Sequence, residues 1–404
     1  MILKMVASQS AGREKDQDLA RLARVNKVIY AVVQPLLYRD FCLDHNLRLS
    51  LSKNKKDGPL VIAREHRQFI QTLRISFDRY RMGGPSDLAL EKLLRSLNNL
   101  HTIRTRWNPT SLRPSADSPI LKILVNSQPL LVHLELPQVD LGMQDIRLIA
   151  TSLPRLETLV VNLPKLAFIP KFKPVFRLHR LVALELPEPR ILPSLLSTSI
   201  TSLTSLSLSL TSNSSLPSFA SFSQLRSLSL WISTPERSTH ILLSDEADRA
   251  MITRMQDVLV SVKELPIKIV KIGSPISLQL YDVNETILSN LPRSIESFTF
   301  GPKNDKNIHW RSLLPSKTSS PYPFLKHITM TRLPGSIRRT SGSFRGVQST
   351  LKQLCLEAGI KLESLPVSHL PRFYAFVLDS PRVLGGEYDA ESAPDFKHVR
   401  MPYG

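Results

Sequence analysis

The stretch LVHLEL, from Leu131 to Leu136, constrains the fold of this 404-residue chain more than any other. It reads apolar, two variable residues, apolar, one variable, apolar. The last two apolar positions are two apart, which is the period of a strand. Leu134 and Leu136 then turn to one face, and His133 and Glu135 to the other. A single strand this short cannot bury its apolar face alone, so it needs copies beside it.

The copies are present. The phrase recurs as LETLVV at Leu156, LVALEL at Leu181, LTSLSL at Leu203 and LRSLSL at Leu225. It returns as IESFTF at Ile295, LKHITM at Leu325 and LKQLCL at Leu351. Looser copies are IQTLRI at Ile70, IKIVKI at Ile267 and FYAFVL at Phe373, and LHTIRT at Leu100 lacks the last apolar residue. From Leu131 to Leu225 the steps are 25, 25, 22 and 22 residues (156−131, 181−156, 203−181, 225−203). From Ile295 to Phe373 they are 30, 26 and 22. Most fall in or near the period of roughly 20–29 residues that marks leucine-rich repeats. The asparagine that follows each strand in regular repeats is mostly missing, since Asn126 and Asn162 form no consistent ladder. The chain therefore resembles the irregular repeats of leucine-rich adaptor proteins. The expected fold is α/β, an irregular leucine-rich-repeat solenoid over residues 70–384. An ordinary α/β or β-rich domain with many leucine strands is the competing reading.

Between the early copies the pattern is helical. Ser86 is placed to cap DLALEKLLRSL, and Asp140 to precede a helix through Asp145, Ile146, Leu148 and Ile149. From Leu181 to Leu225 proline and serine dominate, which predicts shorter, irregular repeats with exposed serine-rich loops. The step from Leu225 to Ile267 is 42 (267−225) and holds a helix-forming stretch, SDEADRAMITRMQDVLVSVKEL. It reads as an insertion, about 240–265, that divides the array. Loose regions are expected at 301–323 and 335–346, and a fraying tail at 385–404.

Ahead of the array, residues 1–17 read as flexible. From Asp18 a helical pattern runs through Leu19, Leu22, Ala23, Val25, Ile29 and Val33, with Pro35 as its stop. The chain then turns extended towards Leu43, and residues 44–69 link into the array. The stretch DLARLARVNKVIYAVVQPLLYRDFCL resembles the second half of an F-box of the fungal type. Asp18, Leu19, Leu22, Val25, Lys27, Ile29, Tyr30, Pro35, Leu36, Leu37 and Tyr38 match that pattern. The resemblance implies an F-box-like helical segment over residues 18–43. It also implies docking of a Skp1-type adaptor through Leu19, Leu22, Val25, Ile29, Pro35, Leu36, Leu37 and Tyr38. The opening Leu-Pro and first apolar helix of the family have no counterpart in MILKMVASQSAGREK. Either the box is degenerate or the chain starts late.

The formal net charge of +19 fits an acidic partner, nucleic acid or an anionic surface. The basic residues are spread out with few aromatics among them, so no base-stacking platform is indicated. Cys42 and Cys355 are too few for a disulfide framework or a cysteine-based zinc site. No stretch approaches a membrane-spanning apolar run, and no secretory signal opens the chain, which points to the cytoplasm or nucleus.

Enzyme constellations are missing from the sequence. It has no phosphate-binding Gly-x-x-x-x-Gly-Lys, no Gly-x-Gly-x-x-Gly, no His-Glu-x-x-His and no Gly-x-Ser-x-Gly. The reading is a non-catalytic protein without cofactor or metal. Its target surface is the row of variable strand positions, with Arg74, Arg104, Arg106, His133, Glu135, Glu185 and Trp231 as the candidate contacts. By resemblance the chain would recruit a protein target to a Skp1–cullin–F-box ubiquitin ligase. A free-standing repeat scaffold whose N-terminal helices cap the first repeat is the alternative, and a basic nucleic-acid-binding protein is another.

Overall fold

A computed structural model describes residues 19–44, 64–77, 85–107, 119–163, 175–184, 191–210, 219–232, 245–273, 289–300, 322–332 and 352–366. Their strands are β1 (Asp40–Asp44), β2 (Thr72–Phe77), β3 (Thr102–Trp107), β4 (His133–Asp140), β5 (Thr158–Asn162) and β6 (Arg180–Leu184). They continue as β7 (Ser205–Leu210), β8 (Ser227–Ile232), β9 (Ile269–Gly273), β10 (Ser297–Phe300), β11 (His327–Arg332) and β12 (Lys361–Pro366). All twelve belong to one sheet whose strand order is the chain order. Every neighbouring pair is parallel, for example β2 with β3 and β7 with β8. The fold is mixed α/β.

Parallel neighbours require a crossover between them. Several are helices: α1 (Lys27–Tyr38) before β1, α2 (Pro85–Arg95), α3 (Pro119–Ser127), α4 (Met143–Ser152), the single turn α5 (Leu192–Leu195), and α6 (Asp245–Val262). One face of the sheet carries the phrase's leucines against these crossovers. Leu134, Leu136, Leu159, Leu206, Leu228 and Phe298 are all fully buried in a single apolar cluster running from Leu43 to Cys355. Burying each such side chain contributes roughly 1.5–3 kcal/mol, which is what holds one rung to the next.

The residue just before each strand fixes the stacking. The Gln71 carbonyl accepts from the backbone N–H groups of His101 and Thr102, each at 3.0 Å. The same double bond recurs rung after rung, through the Lys268 carbonyl with Glu296 (2.7 Å) and Ser297 (2.9 Å).

Register corrects two copies of the phrase. Leu181 pairs with Leu159 and Leu206, so it is the second apolar position of its rung and not the first. The first is Leu178, also buried. The steps from Leu131 then become 25, 22, 25 and 22 (156−131, 178−156, 203−178, 225−203). The copy at Leu351 is not a strand. Residues 352–357 are helical, Gln353 Nε2 donates to Glu357 Oε1 at 3.0 Å, and Gly359 ends the turn at φ 70°. Lys, Gln, Leu and Glu favour helix, and a left-handed glycine is the usual helix stop. The strand of this rung is β12, one stretch later. The copy at Phe373 lies outside the described residues.

Three further expectations change. The helix expected from Asp18 breaks after 23, because Asn26 accepts from the Ile29 N–H at 2.8 Å and starts α1 anew. Pro35 does not stop α1, which continues to Tyr38. The carbonyl that a proline at this position leaves unpaired is that of Ala31, an exposed residue. The stretch about 240–265 does not divide the sheet. β8 pairs directly with β9, and Met255, Val258, Leu259 and Val262 of α6 join the common core. Helix α2 begins at Pro85, so Ser86 sits inside its first turn.

In the proline- and serine-rich region, beside the single turn α5, side-chain hydroxyls tie neighbouring rungs together. Ser199 Oγ accepts from the Leu178 N–H at 2.9 Å and donates to the Phe176 carbonyl at 2.8 Å. Ser202 Oγ donates to the Leu178 carbonyl at 2.9 Å. Phe219 and Phe222 fill the core ahead of β8.

Candidate interaction surface

Alternation along each strand sends every second residue away from the leucine core. Register aligns these residues in rows. One row runs Arg74, Arg104, Glu135, Val160, Val182, Ser207, Ser229, Lys271, Thr299 and Thr329. The row beside it, at the strand starts, includes Thr72, Thr102, His133, Thr158 and Arg180. Parallel sheets are ordinarily buried on both faces. The first row follows this rule over most of its length. Val160 and Val182 are 1% exposed, and Ser207, Ser229, Lys271, Thr299 and Thr329 are also buried. The expectation that every variable position lies open to solvent is therefore corrected at Glu135, Ser207 and Ser229.

A charged cluster on this face lies on β2 to β6, with Lys271 on β9 standing apart from it. His133 Nε2 donates to Glu135 Oε1 at 2.6 Å, and Arg104 Nε lies 3.4 Å from the same oxygen. Burial of Glu135 pushes its carboxyl up. The hydrogen bond from His133 and the charges of Arg104, His133 and Arg180 outweigh burial and bring it below its usual range. Where the β3–β4 ladder ends at Arg104 and Glu135, Thr105 Oγ1 donates to the Glu135 carbonyl at 3.0 Å. That bond holds the carboxylate's backbone in place. At the far side of β4, Asn162 Nδ2 donates to Asp140 Oδ1 at 2.8 Å.

A second charged group stands on the edge row ahead of β9 to β11. Glu296 is gripped by Lys268 Nζ at 2.7 Å and Lys326 Nζ at 2.9 Å. The hydrogen bonds from Lys268 and Lys326 bring its carboxyl down to about 2.

Of the seven candidate target contacts, the structure brings Arg74, Arg104, His133 and Glu135 together on adjoining strands. Arg106 lies opposite Ser76, and Trp231 opposite Ser209 and Gly273, by backbone register. Glu185 lies outside the described residues. Arg180 belongs to the same group and was hidden by the Leu181 register. Anchoring the phrase at Leu178, whose spacing matches equally well, puts Arg180 on the outer face.

The eight candidate adaptor contacts divide. Leu19 is buried, while Leu22, Ile29, Pro35, Leu36, Leu37 and Tyr38 are half-buried and Val25 is 63% exposed. The Tyr38 ring stacks on His66 with centroids 4.2 Å apart, and Gln34 Nε2 donates to His66 Nδ1 at 2.6 Å. These contacts tie α1 to the 3-10 turn Arg64–Phe69 that enters the first full rung. Two residues that the resemblance did not single out are Val28, 75% exposed, and Val32, 53% exposed. They stand four apart on one face of α1, while Val25 lies in the turn ahead of the Asn26 cap. The signal was present in the sequence as Val25, Val28 and Val32 itself. The helical pattern read from the sequence runs through Ile29 and Val33 and passes over Val28 and Val32.

Among the described residues, no three His, Cys, Asp or Glu side chains are placed to hold a metal ion. No described helix is long and apolar enough to cross a membrane. No protein-family model matches the chain, and no curated protein matches it.

Proposed function

We propose that the chain is a non-catalytic interaction adaptor, an irregular leucine-rich-repeat solenoid with an F-box-like segment at its N-terminal side. In this reading the segment docks a Skp1-type adaptor and the charged end of the outer sheet face, on β2 to β4, holds a protein target. The chain is then the substrate-recognition subunit of a Skp1–cullin–F-box ubiquitin ligase, and the chemistry belongs to its partners. One observation supports the adaptor role above the others. Val28 and Val32 are exposed on one face of α1, and Val25 is exposed in the turn before it, all within the segment that carries the F-box pattern. Exposed valines in a row at helical spacing are a feature of binding faces.

A second reading, a free-standing scaffold, is favoured by the buried side of the same segment. Val33 on α1 and Leu19 in the helical turn before it are fully buried, and the segment ends in β1, which pairs with β2 from Asp40 to Asp44. A cap on the first rung needs only that buried side. Co-purification with a Skp1-type adaptor separates the two. The ligase reading predicts a stable complex, including with a chain carrying an apolar F-box helix grafted ahead of Asp18. No complex with either chain leaves the scaffold.

A further inference from the structure

We infer that the target segment held on the outer sheet face is an acidic stretch of polypeptide, docked on the Arg74–Arg104 pair. The inference rests on the interaction reading above, and it adds the chemistry of the target.

Arg74 and Arg104 are direct register partners on β2 and β3. Neighbouring strands are only about 4.8 Å apart. Like charges placed directly opposite one another destabilise a sheet, so the pair is a liability in the isolated protein. The neighbouring position on β4 is Glu135, and its carboxylate is already engaged. It takes a hydrogen bond from His133 at 2.6 Å and one single-point contact from Arg104 Nε at 3.4 Å. Arg180 also acts on it from β6. Two guanidinium groups, Arg104 and Arg180, thus act on one carboxylate, Arg74 adds a third positive charge on the far side of Arg104, and the local charge stays positive.

The exposed side chain shows where an incoming group would bind. The Arg104 side chain is 44% exposed and Arg74, its register partner, is half-buried. A carboxylate laid on Arg104 beside Arg74 meets two positive charges, and the arginine fork matches it in a bidentate geometry. Among the described residues, the outer face of β2 to β6 carries no Phe, Tyr or Trp on which a base would stack, and its one imidazole, His133, is engaged with Glu135, so peptide is favoured over nucleic acid.

The test is fluorescence anisotropy of a fluorescein-labelled peptide of alternating glutamate and serine, titrated with the full chain at low salt. Wild type binds, and the double variant R74Q/R104Q binds about tenfold more weakly, the loss of one charge-assisted hydrogen bond or more. The charge-matched control K268Q/K326Q, at the other end of the sheet, stays within about twofold. Where the double variant does not fold, R104Q alone at its exposed side chain serves, with the same direction. Three results overturn the inference: no binding by wild type, equal weakening by both double variants, or tighter binding of polyuridine RNA of equal charge. Adaptor capture runs through Val28 and Val32. Peptide binding lost with capture intact removes only the acidic target, and capture lost with peptide binding intact removes only the ligase role.

Discussion

His133 Nε2 stands 2.6 Å from Glu135 Oε1, so the two outward residues of β4 are joined by one hydrogen bond across a two-residue step. The bond places a carboxylate between Arg104 and Arg180 on a face that otherwise carries positive charge. Replacing Glu135 by Gln leaves those groups without a counter-charge in a buried setting. The expected cost is about 1–3 kcal/mol in urea unfolding at neutral pH.

Acid should remove the same stabilisation. Glu135 in the folded chain titrates below its ordinary 4.5. A group held down by folding stabilises fully above its unfolded value, and the stabilisation is lost as pH falls through the folded one. The stability gap between wild type and E135Q is therefore present at neutral pH and closes on acidification below 4.5. A gap that stays constant through that range would show that the carboxylate is not held by these partners.

Glu296 offers a spectroscopic check at the other end of the sheet. Its carboxyl is brought down to about 2 by Lys268 and Lys326. In a carbon-detected NMR titration, the double variant K268M/K326M moves the Glu296 midpoint up towards 4.5. High salt moves the wild-type midpoint in the same direction, because exposed pairs are screened.

Ser199 and Leu178 test the register. Ser199→Ala strands the buried Leu178 N–H and should cost about 1–3 kcal/mol. Leu178→Ala opens a cavity in the common core and should cost about 2–5 kcal/mol, like Leu203→Ala one rung on. A near-neutral Leu178→Ala would restore the rung anchored at Leu181.

These two residues also show what the sequence makes legible. The alternation of Leu134 and Leu136 repeats in the leucine face of ten consecutive strands, from Leu73 on β2 to Ile328 on β11. Periodicity of two is a strong local signal and needs no tertiary context. It fails where two frames share residues, as at Leu178 and Leu181, because each frame satisfies the same spacing. It fails again at Leu354, Cys355 and Leu356, where leucine serves helix and strand equally. There Gly359 was the discriminating residue. The outer face was less legible. Burial of Val160, Val182 and Ser207 depends on what lies over the sheet, and alternation reports only which side a residue is on. In α1 the valines alone do not show which side is covered. Val33 is buried while its neighbour Val32 and Val28 are exposed.

That exposed stripe carries the proposed function. Val28→Glu and Val32→Glu should leave stability within about 0.5 kcal/mol, since neither side chain is packed. Val33→Glu, at a fully buried site, should unfold the N-terminal rung.

The most direct measurement is hydrogen–deuterium exchange of the chain with and without a Skp1-type adaptor. Protection gained at residues 25–38, and lost in V28E/V32E, is the predicted result. Unchanged exchange over 25–38 in the presence of saturating adaptor would contradict it.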